Sequence, residues 1–135
     1  MTNHLKLADS YLRLSDEEKK YGNESESITN QREIIRDYCK KQGIIIVSEF
    51  VDDGYSGGNF ERPGFQAMLN HLAAGKANTV IPKDLSRLGR DMTESSYYAE
   101  RFFPEHGIHY LAPGNDFDSM GDNLMAPFQF AMNDV

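Results

Sequence analysis

The sequence predicts an α/β domain with a mostly parallel central sheet of about four to five strands and helices on both faces. Three observations lead there. Short β-branched runs alternate along the chain with segments of helical periodicity. Glycine or proline stands at most of the junctions, at Gly43, Gly54, Pro63, Gly75, Gly107 and Pro113. The length of 135 residues, 39% of them hydrophobic, suits one domain with a single core.

Taken in order, residues 8–14 read as a first strand, with Leu12 and Leu14 on one face and Tyr11 and Arg13 on the other. The charged stretch 16–26 reads as a loop. Ser27 or Thr29 caps a helix running to about Gln42, with Gly43 as its stop and an apolar stripe of Ile28, Ile34, Ile35 and Tyr38. Residues 44–50 are β-branched and nearly continuous, the pattern of a strand buried on both faces. Pro63 suits the first turn of a helix through Ala74, closed by Gly75, with Phe65, Met68, Leu69 and Leu72 inside. Residues 79–82 form a third strand in which Pro82 is awkward, because proline donates nothing to a ladder. A helix from Asp91 or Thr93 to His106 follows, strained near Pro104. Residues 109–112 form a fourth strand and 113–123 a long loop, after which a further helix begins.

Composition limits the partners. A net charge of −7 counts against binding nucleic acid through bulk electrostatics, although it permits one local phosphate pocket. From Asp116 onward the chain has four aspartates and neither Lys nor Arg, so that end is not expected to face phosphates unaided. A single cysteine, Cys39, excludes an internal disulfide and a Cys-rich zinc site; it reads as a small buried hydrophobe on a helix. His106 and His109 lack acidic or Cys partners at ligand spacing and read as structural, so no metal is expected. No run reaches the length of a membrane span and no signal-peptide core stands at the N-terminus. The expectation is a cytoplasmic protein without a membrane partner.

Three fragments carry chemistry. Asp84-Leu85-Ser86-Arg87-Leu88-Gly89-Arg90-Asp91 sets two arginines three residues apart, and arginine forks match phosphate oxygens. Tyr11-Leu12-Arg13-Leu14-Ser15 places a serine two residues after an arginine. Tyr55-Ser56-Gly57-Gly58-Asn59-Phe60-Glu61-Arg62-Pro63-Gly64 adds Arg62 to a glycine-rich loop. The Tyr11–Ser15 fragment ends the first predicted strand and the other two each follow a strand, so all converge on the carboxyl edge of the sheet, where α/β folds bind ligands. Taken singly, each has a plainer meaning. Ser15 can cap whatever follows the strand, Arg87 and Arg90 can form a solvated face, and Ser56 can be a turn residue. Together they point to a phosphodiester substrate with a serine nucleophile.

These fragments resemble the catalytic domain of the serine recombinases, the resolvase/invertase group, and in particular its large members, the phage integrases and transposon recombinases. The resemblance implies Ser15 as nucleophile with Arg13 beside it, and Arg62, Arg87 and Arg90 as further catalytic residues. It implies supporting roles for Gln31, from Ser27-Ile28-Thr29-Asn30-Gln31, and for Asp53, Ser56 and Ser86. It also implies a resolvase-like fold, DNA as partner, homodimers or tetramers, no cofactor, and site-specific DNA recombination through a 5′-phosphoserine intermediate. Residues 1–135 would then be an N-terminal catalytic domain, with the long oligomerisation helix and the DNA-binding region outside it. Two positions depart from the family pattern: Pro82 stands where a β-branched residue is expected, and Ser86 where small resolvases have aspartate. A catalytically dormant oligomerisation or DNA-binding module of the same fold is the alternative. A phosphotransferase is disfavoured, since the sequence has no GxxxxGK[ST] string.

Overall fold

The structure, a computed structural model, describes residues 5–22, 26–56, 61–89 and 92–121, with the side chains of 92–94 excepted. Its strands are β1 (Leu7–Leu14), β2 (Ile45–Asp53), β3 (Thr79–Pro82), β4 (His109–Ala112) and β5 (Phe117–Asp118), in the order β2-β1-β3-β4-β5. β1 pairs in parallel with β2 and β3, β3 pairs in parallel with β4, and β5 is antiparallel to β4. The chain leaves β1 toward β2 and then returns past β1 to β3. That reversal places a topological switch point between β1 and β3, where open α/β sheets bind their ligands.

Helix α1 (Asp16–Tyr21) follows β1 directly. Helix α2 (Ile28–Gln42) begins at a Ser27 cap, whose side chain accepts from the Asn30 amide at 3.0 Å, and ends at Gly43 with φ 72°. Only glycine adopts that left-handed conformation freely, so the predicted stop is met. Helix α3 (Pro63–Ala73) starts with Pro63, whose fixed φ suits a first turn. A short α4 (Leu85–Leu88) follows β3, and α5 (Met92–Tyr97) continues through a π-helical segment, Tyr98–Phe102, into α6 (Phe103–Glu105).

Two apolar layers sandwich the sheet. On one face Tyr11 and Val80 pack with Phe65, Met68 and Leu72 of α3 and with Ala99 and Phe103 of the last helix. On the other, Ala8, Leu12 and Ile81 pack against Ile35 and Cys39 of α2. The alternation read in β1 is therefore real, with both faces buried. Every predicted inner residue of α3 is buried, and each contributes roughly 1.5–3 kcal/mol of transfer free energy.

Four sequence expectations change. The stretch after Ser15 is not all loop, because Ser15 and Glu18 form a reciprocal capping box that starts α1. β2 is an edge strand rather than one buried on both faces, and Ile45 and Val47 stand exposed. The last helix is not continuous α: the hydrogen-bond ladder widens in the turn before Pro104, which has no amide to donate. The predicted long loop after β4 contains β5, so the sheet has a fifth, antiparallel strand. On α2, Ile35 and Cys39 fill the stripe, while Ile28, Ile34 and Tyr38 are half-buried. The predicted C-terminal helix lies outside the described residues, as does Asp91, the earlier of the two starts predicted for α5.

Candidate active site

β1 ends at Leu14, and Ser15 takes extended backbone angles (φ −77°, ψ 161°) as the N-cap of α1. Its Oγ accepts a hydrogen bond from the Glu18 amide at 3.1 Å, and its own amide donates to Glu18 Oε1 at 3.0 Å. The serine thus sits on the carboxyl edge of the sheet at the switch point, on the rim of an open pocket of about 370 Å³. Arg13, Glu18, Tyr21, Ser86 and Arg87 line the same pocket.

Three guanidiniums crowd beneath it. Arg13 is 2% exposed and donates to the carbonyls of Arg87 (2.9 Å), Ser86 (2.8 Å) and Tyr55 (3.1 Å). Arg62 is 1% exposed and donates to the Tyr11 hydroxyl (2.9 Å) and to the carbonyls of Arg87 and Leu88. Arg87 reaches back to the Arg13 carbonyl at 2.8 Å. Burying a charge is costly unless its donors find acceptors, and here backbone carbonyls accept from Nε, Nη1 and Nη2 of Arg13 and from Nη1 and Nη2 of Arg62. Arg13 and Arg62 therefore pin the α4 loop against β1. Burial, with Arg87 and Arg62 nearby, lowers Arg13 to about 10, so it stays charged at neutral pH. Burial also lowers Arg62, against the opposing pull of Tyr11 and Asp52.

Two carboxylates answer Arg87. Glu18 takes its fork through Nη2–Oε2 at 2.6 Å and Nη1–Oε1 at 3.2 Å, and Glu26 Oε2 lies 3.3 Å from Nη2. Burial would raise Glu18, but hydrogen bonds from Arg87 and from Ser15 outweigh it and hold the carboxyl down to about 2. Gln31, fully buried, accepts from the Arg13 amide (3.3 Å) and donates to the Arg13 carbonyl (2.9 Å). Its amide group binds Arg13 much as a neighbouring strand would.

Of the residues singled out in the sequence, the structure brings Ser15, Arg13, Arg87 and Ser86 around one pocket, with Arg62 and Gln31 bracing it from beneath and beside. Ser86 is exposed; its hydroxyl donates to Asp84 and its carbonyl holds Arg13. Ser56 is exposed on the loop after β2. Arg90 lies outside the described residues. Asp53 points elsewhere: it pairs with Lys19 at 3.1 Å. Of the two adjacent aspartates at the end of β2, Asp52 is the one joined to the arginine network, through the Tyr11 hydroxyl. It accepts from the Tyr11 hydroxyl (2.6 Å) and from the Gly64 and Phe65 amides (2.7 and 2.9 Å), and Tyr11 in turn accepts from Arg62. Burial pushes the Tyr11 phenol up; Arg62 opposes the rise and Asp52 adds to it. Asp52, Glu18, Glu26 and the Tyr11 hydroxyl were missed by sequence reasoning. Strand parity could have found Asp52, because it pairs with Arg13 across β1–β2. The S-x-x-E spacing of a capping box could have found Glu18.

The site is thus a serine and an arginine fork around one pocket at the switch point of a mostly parallel α/β sheet, the edge at which such sheets bind ligands. Residues 8–133 match the family model for the resolvase N-terminal domain, and the chain belongs to that family. The fold agrees with solved structures. The N-terminal catalytic domain of TP901-1 integrase superposes with a TM-score of 0.80 at 24% identity, covering 96% of this chain and 95% of that one. A resolvase-family site-specific recombinase from Streptococcus pneumoniae does so with a TM-score of 0.75 at 22% identity, covering 96% and 86%. An uncharacterised immunity region protein of Bacillus phage phi105 is 35% identical over 65 residues, spanning 48% of this chain and 77% of its own length. The chain is thus a resolvase N-terminal domain by family, and its fold is that of solved recombinase catalytic domains. Among the described residues no helix is long and apolar enough to cross a membrane.

Proposed function

We propose that this domain cleaves and rejoins DNA with Ser15 as its nucleophile. The Ser15 oxygen attacks a phosphodiester phosphorus and the 3′-oxygen leaves as a hydroxyl, so a 5′-phosphoserine linkage forms. After strand exchange between subunits of a dimer or tetramer, the 3′-hydroxyl attacks the same phosphorus and restores serine. One phosphate ester replaces another at each step, so the exchange is nearly neutral in energy. Negative charge that gathers on the phosphoryl oxygens meets Arg87 at the pocket and the positive field of Arg13 beneath it. Arg62, Asp52 and Tyr11 act through the α4 backbone and the start of α3, which they hold in place. Arg90, by its place in the double-arginine fragment, is proposed as a further donor.

The observation that carries this reading is the meeting of Ser15 and the Arg87 fork in one open pocket, from two segments separated in sequence by most of a sheet. A second reading, a dormant assembly module, draws on the capped state of the Ser15 hydroxyl and the pairing of Arg87 with Glu18. The two separate in one experiment. The protein is incubated with plasmids carrying candidate attachment or terminal-repeat sites, the reaction is stopped with denaturant, and covalent DNA–protein adducts are counted. The catalytic reading expects adducts from the wild type and none from Ser15→Ala or Ser15→Asn. Specific DNA binding without any adduct would favour the dormant module.

A further inference from the structure

We infer that the Glu18 carboxylate occupies the seat a substrate phosphate must take, so the Arg87 fork rests engaged within the open pocket and is freed when a phosphodiester displaces Glu18 from it. The inference rests on the phosphodiester reading above and adds a regulatory contact to that site.

The geometry matches what a phosphate would be given. A carboxylate and a phosphate present the same pair of oxygens to an arginine fork. Glu18 already uses both guanidinium nitrogens of Arg87, at 2.6 and 3.2 Å, and the Ser15 amide at 3.0 Å. Arg13 Nη1 lies 3.8 Å from the same carboxylate. Two cationic side chains and one backbone donor thus converge on Oε1 and Oε2, directly beside the serine oxygen. The Glu18 amide meanwhile donates to Ser15 Oγ. One residue therefore holds both the nucleophile and the cation.

The latch is also light. Helix α1 has six residues and buries none of them, so moving it exposes little apolar surface. Beyond the capping box, Lys19–Asp53 at 3.1 Å ties it down, an ion pair with both side chains about half exposed. Arg87 would keep a second carboxylate when Glu18 leaves: Glu26, at 3.3 Å and itself 3.5 Å from Lys83.

Glu18→Gln separates the latch from the helix cap, because glutamine serves a capping box as glutamate does but carries no charge. Inorganic phosphate is the probe, with binding measured by calorimetry on wild type, Glu18→Gln and Arg87→Gln. Glu18→Gln is expected to bind phosphate about tenfold more tightly than wild type, and Arg87→Gln to lose binding. If Arg87→Gln loses binding while Glu18→Gln binds no more tightly than wild type, the latch is overturned and the phosphate seat stands. If Arg87→Gln binds as wild type does, the seat itself is misplaced and both ideas fall. Absence of binding by Glu18→Gln also overturns the latch. Should Glu18→Gln not fold, Glu18→Asp takes its place. Its carboxylate is one methylene short of the fork, and it must bind phosphate more tightly than wild type for the latch to survive.

Discussion

Among single residues, adjacent aspartates have opposite jobs, and this makes a sharp test. Asp52 is 1% exposed and accepts three hydrogen bonds, two of them from the first turn of α3, whereas Asp53 is exposed and pairs with Lys19 at the surface. Asp52→Ala leaves those donors unpaired and is expected to cost about 2–4 kcal/mol. Asp53→Ala should change stability by no more than about 0.5 kcal/mol. Chemical denaturation of both variants checks the contrast, and equal losses would refute the assignment. Ser15 is both cap and proposed nucleophile, so Ser15→Ala should lose about 1 kcal/mol while Ser15→Asn, which can still cap, should lose little. Glu18 gives a pH signature. Its folded-state value is depressed from an ordinary 4.5 to about 2 by Arg87 and Ser15, so the stability it lends is complete above about 4.5. That stability is lost as pH falls from about 4.5 through about 2. The acid limb of unfolding for Glu18→Gln should be flatter than that of wild type across this window.

At the scale of elements, α2, α3 and the parallel strands were legible because each follows a local rule. Ser27 and Gly43 bracket α2, Pro63 opens α3, and β1 alternates between two buried faces. Apart from α1, whose S-x-x-E capping box is a local signal, long-range causes hid the rest. Nothing local tells a β-branched strand that it will lie at an edge, and β2 looked buried because the sequence cannot show that no strand pairs beyond it. The same holds for the site. The convergence of Ser15, Arg13 and Arg87 could be read from two strand ends, those of β1 and β3. That Arg62 would bond carbonyls of α4 could not, because those partners lie about 25 residues away in sequence. The start of α3 shows how tightly this edge is built. A Cβ on Gly64 would stand 2.9 Å from both Asp52 carboxylate oxygens and from the Val51 carbonyl. Gly64→Ala is therefore expected to shift Asp52, loosen Tyr11 and Arg62, and destabilise by roughly 1–3 kcal/mol. A thermal melt measures it, and a wild-type midpoint would show that the edge is softer than described.

For the whole molecule, charge and site pull in opposite directions. A chain of net charge −7 gathers its buried arginines at one sheet edge and sets carbonyls and two glutamates against them there. Little positive field is left to attract DNA at random. The 135-residue chain alone is expected to bind nonspecific duplex no more tightly than about 10⁻⁴ M at physiological salt, as read by fluorescence anisotropy. The proposed catalysis would then rest on placement at the switch point, where Ser15 and Arg87 share a pocket. The most direct test of that claim is to digest a trapped DNA–protein adduct with nuclease and protease and sequence the linked peptide by mass spectrometry. The account predicts a phosphodiester remnant on Ser15, joined to a DNA 5′ end. A remnant on any other residue, or a linkage to a 3′ end, would contradict it.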